Sequence, residues 1–137
     1  MIKMKVFEIE SEVFKKAFEN LINVKILKDE KSIIIDRGHS LDVQWALVDL
    51  AKEVNENLEK SSKLRTEILK AFGKVEGDKV SVDLSSLTEE NRIEFEKQMG
   101  ELMNKEMEFK SPKVKVTTSQ LSVQDLFVLE KIIERYL

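Results

Sequence analysis

From Leu41 to Phe72 the chain contains neither glycine nor proline, and its apolar residues recur at helical spacing. Leu47, Leu50, Ala51, Val54 and Leu58 form a first apolar stripe, which Ile68, Leu69 and Phe72 continue. Ser40 stands where an N-cap belongs, Asp42 lies in the first turn, and Gly73 is a natural stop. One helix over 41–72 is therefore expected. The largely polar stretch from Asn55 to Lys63, with Ser61 beside Ser62, predicts a bend or a solvent-exposed middle.

A rod of that kind sets the class of fold for everything around it. Before it, Ile9, Val13, Ala17 and Leu21, with Phe14 and Phe18, predict a helix over 8–22, its charged residues falling mostly on the other side. Val24–Leu27 and Ser32–Asp36, separated by four polar residues, predict a β-hairpin over 24–36. The run Ile33-Ile34-Ile35 points to burial on more than one side. After the rod, Gly77-Asp78 between Val75 and Val80–Val82 reads as a turn with a short extended segment over 74–84. Thr88 caps an acidic helix over 89–107, which should bury Ile93, Phe95, Met99, Leu102 and Met103 before Ser111-Pro112. Val114, Val116 and Thr118 alternate with Lys115 and Thr117 as a half-buried strand over 114–118. Ser122 and Asp125 cap a closing helix over 123–136, expected to bury Leu126, Leu129, Ile132 and Ile133.

The expected fold is α+β and predominantly helical: two long amphipathic helices with flanking helices, a hairpin and short extended segments. At 137 residues the chain is expected to be a single domain. One proline and four glycines agree with long regular elements. The 36% of charged residues is offset by 42% hydrophobic residues at periodic spacing, so disorder is not expected. No segment has the apolar length of a membrane span or signal peptide, so no membrane partner is expected. The lack of cysteine removes disulfides and thiol chemistry and suits a cytoplasmic setting. A net charge of −3 weighs against non-specific nucleic-acid binding.

Candidate chemistry is sparse. His39, the single histidine, lies between Asp36 and Asp42, but a polar turn before a helix explains all three without a metal. Ser40 beside His39 lacks the strained elbow that would aim a nucleophile. Gly38, Gly73, Gly77 and Gly100 are too scattered to form a phosphate loop. Lys110, Lys113 and Lys115 form a small basic cluster with only Phe109 available to stack a base. No cofactor, metal or catalytic residue is therefore expected. Glu94, Glu101 and Glu108 are candidates for an acidic docking face, although a solvated helix face accounts for them too. Met99, Met103 and Met107 lie four apart and suit core packing or an adaptable groove. Trp45 is expected to anchor the core, with an interface anchor as the alternative.

From Leu41 onward, the segments Leu41–Leu47, Arg65–Gly73, Gly77–Val80, Phe95–Glu106 and Val116–Glu130 resemble a group of small uncharacterised phage and prophage proteins. The resemblance covers about 95 residues and leaves Val24–Gly38 as an addition to the pattern. It supplies no active-site residues. It implies a viral or prophage origin and expression in a bacterial host. The expected role is a non-enzymatic one through protein contacts, in the virion or its assembly. The alternative is an anti-defence inhibitor that docks on a host enzyme through the acidic helix. The partner would be a virion protein, a host protein or a second copy.

Overall fold

A computed structural model describes residues 2–28, 31–36, 39–77, 79–116 and 121–135. The fold is α+β and predominantly helical. Strand β1 (Ile2–Lys5) leads into α1 (Val6–Glu10) and α2 (Glu12–Ile22), followed by the hairpin β2 (Asn23–Lys28) and β3 (Lys31–Asp36). The rod α3 (Leu41–Phe72) comes next, then a small hairpin of β4 (Lys74–Glu76) and β5 (Lys79–Ser81) and a 3₁₀ turn at Leu84–Ser86. Helix α4 (Glu89–Met103), β6 (Glu106–Phe109), β7 (Val114–Val116), α5 (Val123–Leu129) and β8 (Ile133–Arg135) complete the order.

The three expected N-caps are present. Ser40, Thr88 and Ser122 accept from the amides of Val43, Asn91 and Asp125 at 3.4, 3.2 and 3.0 Å. Each satisfies an amide that the first helical turn leaves without a partner. The expected hairpin over 24–36 is present too, in antiparallel register from Asn23↔Asp36 to Lys28↔Lys31. The burial expected of Ile33–Ile35 lies outside the described side chains.

Three expected elements are corrected. The helix over 8–22 is two helices broken at Ser11, whose hydroxyl donates to Glu8 O at 3.1 Å and accepts from Phe14 N at 3.1 Å. One side chain thus ends α1 and starts α2, a competition with the backbone that serine is built for. The acidic helix stops at Met103 rather than 107. Asn104 closes it through Gly100 O, with its amide at 3.0 Å and its side chain at 2.9 Å. Glu106-Met107-Glu108-Phe109 then alternates exposed and buried as a strand, which the four-residue methionine spacing disguises. Its partner is β1, unforeseen from the sequence, in the antiparallel register Ile2↔Phe109 to Lys5↔Glu106. The closing helix ends at Leu129, and Ile133–Arg135 runs parallel to β7 in the register Val114↔Ile133 to Val116↔Arg135. Helix α5 is thus the crossover that a parallel pair requires. Thr117, Thr118 and Tyr136 lie outside the described residues.

One core joins Ile2, Met4, Val6 and Ile9 to Phe14, Ala17 and Leu21, to Leu47 and Leu50 of α3, and to Phe109, Leu129 and Ile132. The fully buried apolar residues of α3 come from its first half, while Leu58, Leu64 and Ile68 of the second half pack against the edge of the core. At 1.5 Å per residue this helix is about 48 Å long. Its far half pairs with α4, where Phe72 and Phe95 meet edge to face at 5.6 Å between ring centres. The seam there is half-buried, and Ile93, expected inside, is exposed.

The middle of α3 is largely solvent-exposed as expected, at Asn55, Glu56, Glu59, Lys60, Ser62 and Lys63. Asn57 and Ser61 are the exceptions and are buried, Ser61 at 2% exposure. The Ser61 hydroxyl has two acceptors, Glu10 Oε1 at 3.1 Å and Leu58 O at 3.0 Å. Arg65 ion-pairs with the other Glu10 oxygen and approaches Met103 Sδ at 3.6 Å. The polar stretch therefore docks α1 and α4 against the rod. Gly73 ends α3 with an extended backbone rather than a left-handed cap, and the position requires glycine because a Cβ there would sit 2.3 Å from Ser81 O. Gly77 has φ +60°, which lets the chain turn between β4 and β5.

Candidate interaction surface

Trp45 is not a core anchor. It is 61% exposed, on the face of α3 that also exposes Leu41, at 67%, and Val48. At 100° per residue these three positions form a stripe roughly opposite the buried Leu47, Leu50 and Val54. The N-terminal half of α3 therefore has two apolar faces, one spent on the core and one turned outward. A single apolar stripe is what one layer of packing needs, so the outward one is left over.

Beside Trp45 runs a groove of about 430 Å³ between α3 and the segment leading into β7. Asp42 and Asp49 line it from the helix, and Pro112, Lys113 and Lys115 line it from the other side. Glu53, one turn further along α3, holds that far wall in place. Its carboxylate accepts from the amides of Lys110 at 2.6 Å and Ser111 at 2.7 Å, and from the Ser111 hydroxyl. Burial works to raise the Glu53 carboxyl, but the Ser111 hydroxyl, the two amides and the nearby Lys110 ammonium outweigh it and hold it below the usual range.

The other expected site residues do not gather at one place. Glu94 and Glu101 are exposed on α4 and line a shared groove with Leu64, Ile68, Lys97 and Lys105, so lysines interleave with the acids. Glu108 is on β6 rather than on the helix, across from Lys3 at 3.7 Å. The expected three-residue acidic face is therefore split between two elements. The methionine row is split likewise: Met107 is buried in β6, Met103 packs against the core, and Met99 is half-buried. Phe109 is buried in the core and cannot stack on a base.

His39 Nε2 lies 2.7 Å from Leu21 O, which ties the start of α3 to the end of α2. The Asp36 side chain lies outside those described. Among the described residues no three His, Asp or Glu side chains converge as metal ligands would, and no helix is long and apolar enough to cross a membrane.

A second apolar groove, of about 350 Å³, lies between the N-terminal helices and α5. Phe7, Val13 and Phe127 line it, Phe127 at 75% exposure. Glu8 and Lys131 bridge its edge at 2.7 Å. Helical spacing puts Val13 on the apolar stripe of its helix, yet it is 51% exposed, and the same spacing does not single out Phe7, Phe127, Leu41 or Val48. The signal that separates the two stripes of α3 is their angular offset, which is lost when all apolar positions are pooled.

No protein family, characterised protein or solved structure matches the chain.

Proposed function

We propose that this chain is a non-enzymatic phage protein that acts by protein–protein contact, as a virion component or assembly factor in a bacterial host. The observation that carries the contact role is the outward stripe Leu41–Trp45–Val48 on a helix whose opposite face already fills the core. Exposed tryptophan beside other apolar groups is the side-chain chemistry of interface centres. The phage assignment rests on the residue pattern from Leu41 to Glu130. The test is a profile of purified particles from a lysogen carrying the gene, together with the state of association of the chain. Absence from particles and a chain that binds no protein through Trp45 would refute this role.

A second role, inhibition of a host enzyme, is favoured by one feature: Glu89, Glu90, Glu94, Glu96 and Glu101 are all exposed on α4. Reversing the charge of Glu94 and Glu101 should abolish binding to such an enzyme and leave a contact centred on Trp45 intact.

A further inference from the structure

We infer that the Trp45 face pairs with a second copy of this chain about a two-fold axis. The inference rests on the contact role proposed above and names its partner. A two-fold interface must be complementary to itself, so each charged group on it needs an opposite charge elsewhere on the same surface. The groove beside Trp45 meets this requirement. Asp42 and Asp49 stand on its helical wall, and Lys113 and Lys115 on the strand wall. None of the four makes an ion pair with a described residue, so two opposite pairs of charge are left uncommitted across one groove. A two-fold axis running along the groove brings Asp42 and Asp49 of one copy to Lys113 and Lys115 of its partner, and the reverse. It seats Trp45, on the helical wall, against the strand wall of the partner.

The Glu53 clasp supports this geometry, because it fixes the turn that carries the strand wall before any partner arrives. A pre-formed wall lowers the ordering cost of association. A single purely acidic or basic partner would be repelled by half of this surface; a second copy is not.

Trp45 is the single tryptophan, so its fluorescence reports this face alone. Association on the order of 10 μM is expected of a small interface of this kind. Raising the concentration through that range should double the mass in solution and move the Trp45 emission to shorter wavelength. Asp42→Lys/Asp49→Lys and Lys113→Glu/Lys115→Glu should each weaken pairing by about tenfold or more. Mixing these two variants one to one should restore it, since every cross-pair is then opposite in charge. Restoration also shows that both variants are folded.

A wild-type chain that stays monomeric, with unchanged emission, up to about 0.5 mM would overturn the inference. So would a dimer indifferent to both charge variants. If the monomeric chain still bound a virion or host protein through Trp45, self-pairing would fail and the contact role would stand. If Trp45→Ser changed no association at all, both would fail.

Discussion

Replacing Glu10 with Gln should cost this protein about 2 to 3 kcal/mol, although Glu10 ends a helix of only five residues. Its side chain is 15% exposed and is the shared acceptor for the Ser61 hydroxyl and the Arg65 guanidinium. Breaking a buried ion pair by removing one partner costs about 3 to 5 kcal/mol, because the other charge is left uncompensated. Arg65 is 32% exposed, so water recovers part of that loss and the cost falls below that range, to about 2 to 3 kcal/mol. The neutral amide still offers Ser61 an acceptor, which limits the damage to the ion pair. Arg65→Met should cost a similar amount. The pair Glu10→Leu/Arg65→Met should cost much less than the sum, since no charge then remains buried. Urea unfolding at neutral pH measures all three. A loss of 2 kcal/mol moves the midpoint by about 1 M for a chain of this size. A coupling below about 0.5 kcal/mol would place this pair with ordinary surface bridges.

Glu53→Gln should lower stability at pH 7, and the gap from wild type should close as the solution is acidified. The sign follows from the direction of the shift. A carboxyl held below its unfolded value, which is about 4.3, stabilises the fold above that pH and loses this contribution as pH falls through the depressed folded value. Urea titrations at pH 7, 5 and 3 check it, and an equal gap at every pH would show that the clasp carries no weight. Gly73→Ala should destabilise by about 1 to 3 kcal/mol in thermal unfolding, because its Cβ would meet the backbone oxygens of Ser81 and Leu69 at 2.3 and 2.8 Å. Gly100→Ala, in α4 with nothing within 4 Å of the added carbon, should stabilise by about 0.5 to 1 kcal/mol.

The parts of the fold that the residues announce locally are those whose signals sit at their own ends. Ser40 and Gly73 bracket α3, Thr88 opens α4, and four polar residues separate β2 from β3. Strands β1, β6 and β8 are hidden for the opposite reason. Each is three or four residues long, and β1 finds its partner about a hundred residues away, so neither length nor local pattern distinguishes it from a helix end. Ser11 escapes notice because the apolar period continues across it, and only its side-chain hydrogen bonds reveal the break. Trp45 was misplaced for a related reason. A helix with two apolar stripes does not say which one the core will take. That choice belongs to Phe14, Leu21 and Leu129, which pack elsewhere in the chain.

The contact role of the outward α3 face can be tested most directly by placing a photo-crosslinking benzophenone side chain at Val48, with Trp45 left intact, in the cells that carry the gene. The same side chain at Lys79, exposed on β5, serves as the control. The account predicts a discrete protein adduct from position 48, at chain-dimer mass if the further inference holds, that disappears with Trp45→Ser. A yield at 48 no greater than at 79 would contradict it.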